Sequence, residues 1–135
     1  MNKNSSNKVI ETELGTLYWK DEEKGIVCGK TKPNVEVTIE LLKTDFEAYV
    51  KYFHHPHRKL LLNMSDMMGA KKEVRDFFAG SEGVYKYFDA VAVFVHSRYS
   101  VAGIIGYVAL KVYPLQKPTQ MFFKEEDAIK WLKSL

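Results

Sequence analysis

The fold is decided by residues 90–112, which read AVAVFVHSRYSVAGIIGYVALKV. The first six, Ala90 to Val95, form a continuous apolar run, which is typical of a parallel strand that is buried on both faces. From Val101 to Val112 the apolar residues recur at spacings of three and four, which predicts a helix. A buried strand that leads directly into a helix is the building unit of α/β folds.

The same unit recurs on both sides of this stretch. The apolar run 60–62 is preceded by a helical stripe over 39–53, which ends before Pro56. It is followed by a second helical stripe over 74–88, which is interrupted by two glycines within 80–83. Strand and helix patterns therefore alternate through most of the chain.

The order of the predicted elements defines the fold class. It reads β-β-α-β-α-β-α-β-α, which predicts an α/β fold with a mostly parallel sheet, right-handed crossovers and an antiparallel N-terminal hairpin. We expect one domain over residues 9–135, preceded by a disordered tail at residues 1–8. In chain order the elements are strand 9–19, strand 26–28, helix 39–53, strand 60–62, helix 74–88, strand 90–95, helix 101–112, strand 120–123 and helix 125–135.

The composition is that of a small globular domain. Hydrophobic residues make up 46% and charged residues 27% of the 135 residues, which excludes a disordered, collagenous or coiled-coil chain. The formal net charge of +3 is too small to require an anionic partner, so we expect no nucleic-acid binding. The single cysteine, Cys28, excludes an internal disulfide and Cys-rich zinc sites, and its mid-strand position predicts a small core residue.

The sequence carries no pattern of an export signal or a membrane span. The first eight residues are polar and lack the apolar stretch of a secretory signal. The longest uncharged stretch, Tyr99 to Leu110, would span about 18 Å as a helix, against the ~30 Å core of a bilayer. Together with the lone thiol, this predicts a soluble, cytoplasmic protein without a transmembrane segment.

Six short segments between residues 60 and 132 carry a family resemblance. They are LLLNM at 60–64, EVRDFFA at 73–79, AVAVFVHS at 90–97, Ile105-Gly106, KPTQMF at 117–122 and EEDAIKWL at 125–132. On these segments the chain resembles small bacterial proteins with the SpoIIAA-like (STAS-type) fold, a group common in Bacteroidetes. The wider fold includes anti-sigma-factor antagonists, transporter regulatory domains and, by structural similarity, CRAL-TRIO-type lipid carriers. The resemblance implies a fold, and a fold does not assign a function by itself.

One feature of the wider fold is missing from this chain. In its phosphorylatable antagonists, a serine lies in an Asp-Ser-Ser/Thr-Gly turn after the strand that corresponds to residues 60–64. The corresponding stretch here, 67–73, reads MMGAKKE and contains no hydroxyl group, and Ser65 lies too close to the strand. We therefore expect no phosphoserine switch.

Polar residues follow the two predicted central strands. Ligands of parallel α/β sheets collect beyond the carboxyl ends of the strands. A serine cap on the next helix, at Ser97 or Ser100, with a histidine and an arginine beside it, predicts a site for a phosphate or carboxylate group. The alternative is that Ser97 is only a helix cap and Arg98 a solvated neighbour. The predicted ligand-binding residues are Asn63, Ser65 and Asp66 after the first strand, and His96, Ser97, Arg98 and Tyr99 after the second.

The helix predicted over 101–112 is apolar on every side, so one face needs a cover outside the usual core. That cover is another subunit, a lipid-like ligand, a membrane surface or the hairpin end of the same chain. Small residues such as Gly103 and Gly106 would let a neighbour approach closely. The stripe expected to face the core is Val101, Ile104, Ile105, Val108 and Val112. The predicted interface residues are Val101, Ala102, Gly103, Ile105, Gly106, Tyr107, Ala109 and Leu110.

Metal-binding patterns are weak. His54, His55 and His57 are close in sequence, but their spacing matches no familiar metal motif. Cationic side chains near the negative end of a helix are the simpler interpretation. We predict no metal site and no cofactor.

Catalytic patterns are weak as well. The chain contains no Gly-x-Ser-x-Gly elbow, no His-Glu-x-x-His motif and no glycine-rich phosphate loop between a strand and a helix. Asp66 and Arg75 are close enough in sequence to pair across a cleft, although a surface ion pair is the simpler expectation. Asp45 and Glu47 are expected on the solvated face of their helix. We predict that the protein is not an enzyme.

Three functional hypotheses follow from the sequence. The first is a non-catalytic interaction or regulatory module, a homodimer or a partner of another protein, which uses the helix over 101–112. The second is a carrier for a lipid or a small apolar acid, with the same helix lining a pocket and His96, Ser97 and Arg98 holding the head group. The third and weakest is a hydrolase or transferase that uses His96 and Asp66.

Overall fold

The structure, a computed structural model, describes residues 8–135. These residues form six strands and four α-helices, with strands and helices alternating from β3 onward and a short 3₁₀ turn, Val84–Lys86, before the fifth strand. The predicted tail, residues 1–8, lies outside the described residues except for Lys8. The elements are β1 Val9–Glu11, β2 Gly15–Asp21, β3 Ile26–Thr31, α1 Ile39–Tyr52, β4 Lys59–Asn63, α2 Lys72–Ala79, β5 Val91–Phe94, α3 Val101–Val112, β6 Thr119–Phe122 and α4 Glu125–Lys133.

The six strands form one sheet in which spatial order follows chain order. Strands β1, β2 and β3 pair antiparallel, and β3 to β6 pair parallel. The predicted mixed α/β class is thus confirmed, with one more strand than predicted. The expected strand 9–19 is interrupted by a turn, in which the Gly15 amide donates to the Thr12 hydroxyl at 3.0 Å. The Thr12 amide donates to the Gly15 carbonyl at 2.8 Å, so the predicted hairpin is a three-stranded meander.

Both faces of the central strands are covered. Val27 and Leu60 face the core that is shared with α1 and α2, whereas their neighbours Cys28 and Leu61 pack against α4. This alternation explains why the runs 26–28, 60–62 and 91–94 are apolar at every position. Cys28 is fully buried, which confirms the prediction of a small core residue.

Helix α1 begins at a threonine cap, where Thr38 Oγ1 accepts a hydrogen bond from the Leu41 amide at 3.1 Å. Of its predicted apolar stripe, Val50 is exposed and does not contribute to the core. The prediction for Asp45 was wrong, because this residue is buried and not solvated. Position 45 lies three residues after Leu42 and four before Tyr49, so it belongs to the buried stripe.

The second helical pattern is shorter than predicted. Helix α2 ends at Ala79, and beyond the glycines only one 3₁₀ turn forms instead of a resumed helix. A Cβ atom at Gly83 would lie 2.1 Å from the carbonyl oxygen of Phe78, so the chain packs back onto α2 at this point.

Candidate functional site

Helix α3 starts at a serine cap, Ser100, six residues after β5 ends at Phe94. Ser100 Oγ accepts a hydrogen bond from the Gly103 amide at 3.0 Å, as a helix N-cap does. Ser97, the other candidate for this role, accepts from the Tyr99 amide at 3.1 Å and closes a local turn. Of the two predicted caps, Ser100 is therefore the one that the structure places on the helix.

The inner face of α3 consists of small residues. Ala102, Gly103 and Gly106 are buried within the domain. A Cβ atom at Gly103 would lie 2.3 Å from the Ser97 carbonyl oxygen, and one at Gly106 would lie 2.4 Å from Met121 Cε on β6. These glycines let the helix lie close to its own sheet, so these three predicted interface residues contact their own domain.

The outer face of α3 is apolar and exposed. Two of its residues, Val101 and Tyr107, are predicted interface residues, and the other three were expected to face the core. Most of the predicted interface residues therefore lie on the inner side of α3, and most of the residues expected in the core lie on its outer side. The reason is that only small residues allow the helix to lie this close to its own domain. We define the α3 outer face as Val101, Ile104, Tyr107, Val108 and Val112, which are 49% to 67% exposed.

No acidic residue occurs on α3. Its only charged side chain is Lys111, in the last turn. The exposed face therefore combines aliphatic side chains with one tyrosine ring and offers no charged group along most of its length. Such a surface is suited to contact with another apolar surface.

An apolar cavity lies beneath α3, between this helix, α1, α2 and the sheet. Its volume is about 160 Å³. The remaining predicted interface residues, Ile105, Ala109 and Leu110, line it, so they too face their own domain. The opposite walls come from sheet residues such as Leu60 and Val91.

Asp45 is the buried acid in the lining of this cavity. Burial raises the pKa of Asp45 to about 6, against the lowering effects of a hydrogen bond with Thr12 and the charge of Lys32. Its Oδ1 atom is buried and has no hydrogen-bond partner among residues 8–135. A carboxylate in this environment retains capacity to accept a hydrogen bond.

The predicted ligand-binding residues lie at neighbouring strand ends but do not line the cavity. Strands β4 and β5 pair in parallel, with Asn63 opposite Phe94, so their ends are adjacent as expected. The side chain of Asn63 accepts from the Ser65 amide at 3.0 Å and is used locally. Asn63 is buried, Ser65, Asp66 and Ser97 are half-buried, and His96, Arg98 and Tyr99 are exposed.

The other candidate residues make local contacts. His57 Nδ1 lies 3.0 Å from Asp89 Oδ2, a carboxylate that is distant in sequence. Among residues 8–135, no group of three His, Cys, Asp or Glu side chains is placed to hold a metal ion. The guanidinium of Arg75 donates to the Ala70 carbonyl, and the described residues contain no ion pair between Arg75 and Asp66.

Sequence reasoning missed the cavity and the role of Asp45. The spacing from Leu42 through Asp45 to Tyr49 was a signal for a buried acid, since it places all three on one helical stripe. No sequence pattern indicates the cavity, because its volume depends on how closely three helices pack against the sheet.

Comparison with known proteins gives a family. Within residues 8–135, no helix is long and apolar enough to cross a bilayer. Neither the curated proteins nor the solved structures contain a match to this chain. A family model described as Domain of unknown function (DUF7793) matches residues 18–135, from the middle of β2 to the last residue. The chain belongs to this family of domains.

Proposed function

We propose that this domain is a non-catalytic, cytoplasmic interaction module that self-associates through the α3 outer face. The observation that carries the proposal is the exposure of five large apolar side chains on one helix. Isolated exposed apolar residues are common on protein surfaces, whereas a contiguous apolar patch marks a contact site. The partner is a second copy of the same chain.

The area of the α3 outer face is small compared with the area that stable protein complexes bury. Half-exposed aliphatic side chains and one tyrosine present on the order of 300 Å² of apolar surface. Two copies would bury roughly 600 Å², compared with about 1,200–2,000 Å² in a stable complex. We therefore expect a weak dimer that dissociates on dilution.

The chemistry of the face favours its own copy as the partner. A two-fold dimer places the same patch on both sides, which requires a surface that is complementary to itself. The α3 outer face meets this requirement because it is apolar and carries no acidic residue, and its one adjoining charge is Lys111, whose ammonium lies 5.3 Å from the centroid of the Tyr107 ring. An antiparallel pair of α3 helices would also keep the two Lys111 charges at opposite ends of the contact.

The proposal includes a SpoIIAA-like character for the fold. Its support is the order of the strand–helix units, in which β3 to β6 follow one another in the sheet as they do in the chain.

A non-catalytic role is supported by the protonation state of the single cysteine, Cys28. Burial raises the pKa of Cys28 to about 11, so at neutral pH this side chain is a protonated thiol and a poor nucleophile.

The test compares two valine-to-aspartate variants by sedimentation velocity over a wide concentration range. Val108 lies in the α3 outer face and is 51% exposed, whereas Val50 lies on α1 and is 45% exposed, so Val50→Asp is a matched control. We expect wild type and Val50→Asp to form dimers at high concentration and Val108→Asp to remain monomeric. Equal association of all three proteins, or monomers throughout, would rule out this interface.

A further inference from the structure

The cavity beneath α3 has the volume of a small organic molecule. It measures about 160 Å³, and an apolar cavity of roughly 150 Å³ in another protein stays dry and holds benzene. Voids larger than a water molecule are rare in close-packed cores. A cavity of this size in a domain of 135 residues is therefore a candidate ligand site.

The walls of the cavity are suited to a hydrocarbon ring or short chain. Phe46 of α1, Phe78 of α2 and Ile105 of α3 contribute apolar side chains from three directions, and Leu60 contributes one from the sheet. Lys30 also lines the cavity and is exposed, which places part of the lining at the protein surface.

Most other polar side chains in the lining already have partners. The Tyr85 hydroxyl lies 2.6 Å from the Thr119 hydroxyl, and the Tyr113 hydroxyl donates to Asp76. Arg75 donates to a backbone carbonyl, as described above. Asp45 differs from these residues, because it is 8% exposed and one of its carboxylate oxygens lacks a partner among the described residues.

We propose that this cavity binds a small apolar molecule that carries an amine, and that the Asp45 carboxylate accepts the hydrogen bond from that amine. A carboxylate only accepts hydrogen bonds when ionised, so the ligand must supply the donor. A charged donor such as an ammonium group forms a stronger hydrogen bond with a carboxylate than a neutral donor does. The Asp45 charge disfavours a ligand acid, whereas Lys30 and Arg75 in the same lining favour one, so an amine and an acid are compared directly in the test. The Asp45 carboxylate thus favours a cationic ligand, whereas His96 and Arg98 were expected from the sequence to hold an anionic head group. The proposal does not depend on self-association.

The test uses three probes that share one ring and differ in their polar group: benzylamine, toluene and benzoate. Their affinities are measured by protein-observed NMR titration of wild type and of Asp45→Asn. Glu47→Gln is the control, since Glu47 lies on the same helix and is exposed. Nuclear Overhauser contacts between the ring of benzylamine and the Ala109 methyl group locate the probe in wild type without any substitution.

We expect benzylamine to bind wild type and Glu47→Gln at least about tenfold more tightly than toluene, which is the contribution of a hydrogen bond to a charged group. Asp45→Asn should abolish this difference, toluene should bind all three proteins equally, and benzoate should bind wild type more weakly than benzylamine does. The proposal is wrong if benzylamine does not bind wild type, if it gains nothing over toluene, or if it shows no contact with Ala109.

Discussion

Replacing Asp45 by asparagine is expected to stabilise the protein much more at pH 7 than at pH 4. In the folded protein, burial raises the pKa of Asp45 from 3.8 to about 6. This difference corresponds to about 3 kcal/mol, since each pKa unit is worth about 1.36 kcal/mol. The side chain is only 8% exposed, so little of this free energy is lost to screening by solvent.

The sign follows from the protons bound in each state. Between pH 4 and pH 6 the folded protein holds a proton on Asp45 and the unfolded chain does not, so the free energy of unfolding falls as pH rises. Above pH 6 both states are ionised, and the loss is complete. An asparagine at this position does not titrate, so the variant avoids this loss.

The assay is urea denaturation at several pH values between 4 and 7, followed by tryptophan fluorescence. The difference in unfolding free energy between Asp45→Asn and wild type should grow by about 2 kcal/mol from pH 4 to pH 7, because at pH 4 the unfolded chain has already lost part of its proton. Subtracting the two proteins removes the contributions of other carboxylates, and Glu47→Gln, which replaces an exposed carboxylate on the same helix, is the control. A difference that stays constant, or that shrinks as pH rises, would refute the argument that burial controls this carboxylate.

Three further predictions concern single side chains. Cys28, with its pKa near 11, should react with a thiol reagent at neutral pH only after unfolding, and rapid labelling of the native protein would contradict its burial. Gly103→Ala should cost about 1–3 kcal/mol in thermal or urea unfolding, because the new methyl group meets the backbone at Ser97; an unchanged melting temperature would show that α3 lies farther from this loop. Ser100→Ala should cost about 1 kcal/mol through loss of the helix cap, and more than Ser97→Ala does.

The central part of the fold follows from the sequence for a simple reason. The runs that become β4 and β5 are apolar at every position, and the change from period two to period three or four marks the start of α3. The break between β1 and β2 was harder to predict, because it depends on the hydroxyl of Thr12 reaching one particular amide. Apolar periodicity does not report such local hydrogen bonds.

The candidate site was only partly predictable. The apolar residues on every side of α3 predicted that a second face of this helix is covered. They do not indicate which side faces the domain interior. Packing distance decides this, and it selects Gly106 over Ile104 for the side next to β6. The sequence pattern was interpreted as a solvated helix face at Asp45, although the spacing from Leu42 through Asp45 to Tyr49 places this residue on the buried stripe.

The most direct test of the central claim is a dilution series of wild-type protein followed by amide chemical shifts. Association through the α3 outer face predicts that the amide signals of Ile104, Tyr107 and Val108 move together as the concentration falls. The amide of Val50, which is exposed on α1, should not move. Shifts that are independent of concentration, or that change at α1 and not at α3, would contradict the account.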